Sequence, residues 1–314
     1  MPRTKPRASA LTPKDIKDAL LRSGYLLEGR IADRMRARGY YVEESASYPD
    51  PDTGKSRELD AYGLSAVCAL EQTMDFAFAA LLVEGINNPQ PLALLSKGVD
   101  VPLLYRDDLH VAGLPAIVPQ PKGRRWVSIR DALQLESFHH YCRGAYATQF
   151  CSFQQKKNAS EWMAWHDDTH FESIKKLGDA VLFFRDGIFR GWHPGGVEKI
   201  NLELYYPVLV LQGALLDVRR TTRGLQIRPI THGRLRRTAI HGGETFSYQI
   251  DVVVESYLPE LLKTVAREGR RIERYVQAHR IRLRHACKLI AQRAMRMRGA
   301  DRLARAVRDL GRAG

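Results

Sequence analysis

Residues 76–89 read FAFAALLVEGINNP and place an acid, Glu84, near the end of an apolar run of strand length. An apolar strand rarely carries a carboxylate without a cause, because burying an unpaired charge is costly. The run stops where Asn87–Asn88–Pro89 supplies turn formers. Upstream, residues 56–63 read SRELDAYG and set Asp60 early in a second apolar run, residues 59–70. Between Tyr48 and this run lies Pro49–Asp50–Pro51–Asp52–Thr53–Gly54, dense in turn residues, and residues 40–48 before it read as another strand. Residues 76–86 form the third strand of this series, and residues 92–95 resume extended structure.

A helix precedes the strands. Thr12 is placed to cap it and Pro13 to occupy its first position. Ile16, Leu20, Leu27, Ile31 and Met35 follow with helical spacing. Gly24 is a point of interruption and Gly39 a terminator. The order is helix, strand, strand, strand, with two acids on neighbouring strands and a third, Glu28, on the helix in YLLEGRIADRMRARGYYVE (residues 25–43).

The string DPDTGKSRELDAYG (residues 50–63), the acid of LLVEG and the helix acid together resemble the PD-(D/E)xK, or restriction-endonuclease-like, nuclease superfamily. The resemblance covers residues 13–97. It implies an αβββαβ core, a mixed sheet flanked by helices in three layers. It also implies metal-dependent phosphodiester cleavage, with Glu28, Asp60 and Glu84 holding Mg²⁺ or Mn²⁺. The family normally carries a lysine two positions after the second strand acid, and this chain has Ile86 there. Lys97, just past the third strand, and Lys55, in the turn before Asp60, are the candidates for the displaced cation. Either the lysine has moved, or the copy is degenerate and serves as a nucleic-acid-binding or scaffold module.

Beyond residue 97 the pattern changes. Residues 127–141 and 159–177 read as helices, with Asn158 or Ser160 near the second cap. Residues 202–218 read as a strand pair around Gly213, and residues 225–230 and 246–255 as further strands. From Leu258 the chain turns helical, with Val265, Ile272, Val276, Leu283, Ile290 and Met297 near one face.

The 314 residues carry a net charge of +14 and are 44% hydrophobic, a proportion ordinary for a globular protein. The charge sits at the ends. Residues 263–314 hold 16 Lys and Arg against 4 Asp and Glu, whereas residues 23–262 are close to neutral. Such a distribution points to a basic helical extension, residues 263–314, on an α/β (α+β mixed) domain of residues 1–262. Its partner is expected to be a polyanion, DNA above all, with Arg280, Arg284 and Arg298 as candidate phosphate contacts. Arg219–Arg220, Arg223, Arg228, Arg234 and Arg236–Arg237 form a second basic zone, read as hairpin contacts or solvated turns.

No apolar run reaches the roughly 20 residues that span a bilayer. The four cysteines, Cys68, Cys142, Cys151 and Cys287, have no paired spacing and read as thiols of a reducing cytoplasm. A homo-oligomer is compatible with the sequence. His166 and His170 stand at a helical i, i+4 spacing that can bind metal, but a polar helix face accounts for them. His139 and His140 are adjacent and, on a helix, are not expected to share an ion. Gly195–Gly196 and His241–Gly242–Gly243 read as turns without the context of a phosphate loop.

Overall fold

The computed structural model describes residues 11–100, 102, 108–120, 125–156, 160–166, 168–190, 199–241, 243–299 and 301–312. The leading helix is split. Helix α1 (Pro13–Ser23) opens on a capping box in which Thr12 and Asp15 satisfy each other's backbone N–H groups. Gly24, at φ 90°, ends it and starts α2 (Tyr25–Arg36), which buries Leu27, Ile31, Ala32 and Met35. Strands β1 (Tyr41–Pro49), β2 (Ser56–Leu70) and β3 (Asp75–Ile86) then form an antiparallel meander. The β1–β2 turn is set by Asp50, whose carboxylate accepts from the N–H groups of Asp52 and Thr53 and pairs with Arg57.

A long excursion separates β3 from its next neighbour. It comprises β4 (Leu92–Asp100), β5 (His110–Leu114), the hairpin β6 (Ile117–Pro119) and β7 (Trp126–Ser128), the one-turn helix α3 (Ile129–Ala132), β8 (Ala145–Gln155), β9 (Trp162–Trp165) and helix α4 (Asp168–Arg190). The chain returns as β10 (Asn201–Leu211), parallel to β3 along its whole length. Strands β11 (Leu215–Thr221), β12 (Gly224–Ile230), β13 (His232–His241) and β14 (Glu244–Val254) complete a mixed sheet of 12 strands, ordered β1-β2-β3-β10-β14-β13-β8-β4-β11-β12, with β5 on β10 and β9 on β8. The class is therefore mixed α and β, as expected.

Two apolar cores lie on the two faces. One holds Leu27, Ile31 and Met35 of α2 with Leu81, Val83, Val208 and the stripe Leu261–Val265–Ile272–Val276–Leu283–Ile290 of helix α5 (Leu258–Met295). The other holds Leu82, Leu209, Ile250 and Val252 with Ile174, Leu177 and Val181 of α4. The basic C-terminal segment is thus a core element along one side of its helix. The division expected at residues 262/263 falls inside α5, and among the described residues the short α6 (Arg302–Arg312) follows it. Gly269 lets α5 approach β2 closely, because a Cβ there would lie 2.8 Å from the Val67 side chain.

Three expectations need correcting. Residues 127–141 are a strand end, one helical turn and two short 3-10 turns, with Gln134 in the left-handed region at φ 55° breaking any longer helix. The second middle helix begins at Asp168; residues 162–165 pair with β8 instead, and Asn158 lies outside the described residues. The two strands flanking Gly213 lie apart in the sheet, on β3 and β4 respectively. Strand β13 was hidden by its arginines. No helix among the described residues is long and apolar enough to cross a membrane.

Candidate active site

The antiparallel register pairs Ala61 with Val83. One step further along it, Asp60 stands opposite Glu84, and Asp60 Oδ2 accepts from the Gly85 N–H at 2.7 Å. Glu84 is 2% exposed. Its Oε2 accepts from Lys176 Nζ at 2.7 Å, while its Oε1 is buried with no hydrogen-bond partner. A buried carboxylate oxygen left without a donor is costly and suits a cation ligand.

Lys176 belongs to α4, 92 positions after Glu84. Its turn of helix is fixed by two tyrosines from the sheet. The buried Tyr48 hydroxyl donates to the Lys176 carbonyl at 2.9 Å, and the Tyr248 hydroxyl donates to the Ile174 carbonyl at 3.3 Å. Gly178 lets that contact form, since a Cβ there would lie 2.3 Å from the Tyr248 ring. The lysine is therefore held by packing, while a quarter of its side chain still meets solvent.

Electrostatics ties the group together. Burial pushes Glu84 up to about 7, the charge of Asp60 adds to this, and Lys176 opposes it. Burial also raises Asp60, against the Gly85 N–H and Lys176. Glu28, half-buried on α2, is raised by burial and then by Asp60, and lowered by Lys176. It shares the field of the site without closing into a compact set: among the described residues, the three-residue cluster with donor atoms within 4.8 Å of one another lies elsewhere. Asp60 and Glu84 are thus the pair brought together, with Glu28 at the margin.

The expected cations are not at this site. Lys97 is exposed on β4, with four strands between it and β3 in the sheet order, and Lys55 is exposed in the β1–β2 turn. The expected phosphate contacts are also partly occupied. Arg284 donates to Asp75 at 3.0 Å and to the Thr73 carbonyl, and Arg280 lies 3.8 Å from the same buried Asp75. Arg298 is exposed. His166 precedes α4, so the i, i+4 spacing to His170 is not helical; its ring packs against Phe150 and Phe171.

A second polar cluster lies on the opposite face of the sheet. Leu209 of β10 is level with both Glu84 and Val252, so the neighbouring position of β14, Asp251, projects to the other side. There His140 Nδ1 lies 3.0 Å from Glu268 Oε1, and His140 Nε2 lies 2.9 Å from Asp251 Oδ2. Burial alone would lower His140, but the two carboxylates outweigh it and hold its pKa at about 10. His232 Nε2 meets the other Asp251 oxygen at 3.0 Å. His139 converges on the same Glu268, with Nε2 at 3.3 Å.

His139, His140 and Glu268 are close enough to hold a metal ion. Their chemistry fits one poorly. Burial keeps His139 neutral, pushing it down to about 4, and a neutral imidazole has one lone pair. That lone pair accepts from the Tyr141 N–H at 3.1 Å. Both His140 nitrogens already face carboxylates, as an imidazolium requires. Protons satisfy this cluster.

Comparison with protein-family models, with curated proteins and with solved structures found no match.

Proposed function

We propose that the chain is a metal-dependent phosphodiesterase of the PD-(D/E)xK type acting on DNA, in which Lys176 supplies the cation missing at Ile86. The observation that carries this reading is Lys176 Nζ, 2.7 Å from Glu84 at the point where Asp60 faces it. With the excursion from β4 to β9 set aside, the order α2, β1, β2, β3, α4, β10, with β10 parallel to β3, supports it as well. On this reading α4 would be the second helix of the αβββαβ arrangement that the sequence resemblance implies.

Asp60 and Glu84 would hold the divalent ion, with Glu28 approaching from α2. The open Glu84 Oε1 fits this role. A bound Mg²⁺ or Mn²⁺ would supply Lewis acidity and lower the pKa of water. The Lys176 ammonium is a compact cation with three donors, suited to orienting the attacking water and stabilising negative charge that develops on a phosphate. Glu84 in turn positions Lys176. The exposed cations of α5 and α6 suit a phosphate backbone, whose contacts position the protein without reading sequence.

Calorimetric titration with Mn²⁺ tests the metal assignment. Wild type should bind, and Asp60→Ala and Glu84→Ala should not. Equal binding by all three would leave Lys176–Glu84 as a structural ion pair on a non-catalytic scaffold.

A further inference from the structure

The cluster around His140 forms one side of a cavity of about 650 Å³ between β8, β13 and α5. Its walls carry six arginines: Arg143, Arg219, Arg228, Arg234, Arg267 and Arg271. The carboxylates nearby are already engaged. Asp217 Oδ2 accepts from both Arg219 and Arg228. Glu268 and Asp251 are taken by the histidines. The Arg267 guanidinium donates to the Thr264 hydroxyl, and Arg271 lies over the Phe138 ring. Among the described residues, Arg143, Arg267 and Arg271 pair with no carboxylate. The cavity therefore holds a surplus of positive charge in a partly enclosed space, where an anion is bound more strongly than on open surface.

The scaffold of this cavity is rigid. Arg234 is 6% exposed and donates to the carbonyls of His140, Arg143 and Ala145, which pins the loop that presents His140 and Arg143. A buried guanidinium spent on backbone carbonyls keeps the neighbouring cations in place before any ligand arrives.

We propose that this cavity is a binding site for a phosphate-bearing ligand the size of one nucleotide. Guanidinium forks match phosphate oxygens in pairs, which distinguishes them from a set of lysines. The volume lies within the usual range for small-ligand sites, roughly 300–1,000 Å³. Phe138 and Tyr146 supply aromatic surface beside the cations. The site lies on the opposite face of the sheet from Glu84, so it does not depend on the catalytic reading. The ligand is either a free nucleotide or the 5′-phosphate at a nucleic-acid end, which share this chemistry.

Calorimetry on the full chain, with EDTA present to silence any metal site, tests the proposal. The probes are pyrophosphate, dAMP, dATP and a short single strand with or without a 5′-phosphate. Wild type should bind at least one phosphate probe. Arg143→Gln combined with Arg267→Gln should weaken that binding by at least about tenfold, since two charge-assisted hydrogen-bond donors are lost. Lys14→Gln combined with Lys17→Gln, exposed on α1 and not part of the cavity wall, should leave it unchanged. Unfolding curves establish that both double variants are folded. Sensitivity confined to the nucleotides assigns a free ligand, and sensitivity confined to the 5′-phosphorylated strand assigns a nucleic-acid end. Failure of every phosphate probe to bind, or equal binding by the Arg143/Arg267 variant, overturns the proposal.

Discussion

Glu84 is an acid kept where its charge is disfavoured, and removing the charge should make the metal-free protein more stable. Its carboxyl is held at about 7 in the fold, against 4.5 for an ordinary glutamate. Each pH unit between these values corresponds to about 1.4 kcal/mol, so ionising Glu84 costs the fold about 3 kcal/mol. Because the folded value is the higher one, this stability is fully present below about pH 4.5 and is lost as pH rises through about 7. Lys176 does not reverse the balance, since its attraction is already included and is outweighed by burial and Asp60. Glu84→Gln keeps the shape and cannot ionise. Urea unfolding in EDTA should therefore show Glu84→Gln close to wild type near pH 5 and more stable by about 2–3 kcal/mol at pH 8.5, with an unchanged dependence on urea. A variant equal to or less stable than wild type at pH 8.5 would refute the reasoning, because Glu84 would then be a satisfied structural anion.

Arg284→Ala should destabilise the fold by about 2–3 kcal/mol in denaturant unfolding, because it strips a partner from the fully buried Asp75; Arg280 nearby keeps the loss at the low end for a buried pair. The same substitution should leave the salt dependence of DNA binding almost unchanged if Arg284 is structural. Charge reversal at the exposed Arg274, Lys288 and Arg298 should lower the slope of log K against log salt by up to about 3, at about 0.9 for each phosphate that is no longer neutralised. A folded triple variant with the wild-type slope would place the DNA-binding surface elsewhere.

The acid pair was legible in the sequence because both carboxylates interrupt short apolar runs, and strand register is local once two strands adjoin. Lys176 was not legible. It is separated from Glu84 by 92 positions, and its neighbours Lys175 and Glu172 give that stretch the look of an ordinary solvated helix face. The one available signal was its place beside the buried stripe Ile174–Leu177–Val181. The cavity was hidden for a similar reason. His140 lies 111 positions before Asp251 and 128 before Glu268, and the arginines of β13 read as turn charge because their alternation with Leu235 is weak. The apolar stripe of α5 was visible, yet its dense positive charge suggested an appendage. Burial of Leu261 to Ile290 against α2 and the sheet shows that one helix serves core packing on one side and carries charge on the other.

The central claim is that Lys176 performs the task of a lysine two positions after Glu84. Ile86 sits on the same side of β3 as Glu84 and is nearly buried. Its replacement by lysine would bring an ammonium to the acids from β3 itself. Metal-dependent cleavage of plasmid DNA should be measured for wild type, Lys176→Ala and the double variant Lys176→Ala/Ile86→Lys in Mn²⁺. The account predicts that wild type cuts, that Lys176→Ala loses cutting while still binding Mn²⁺, and that the double variant recovers part of it. Cutting by Lys176→Ala at the wild-type rate would contradict it.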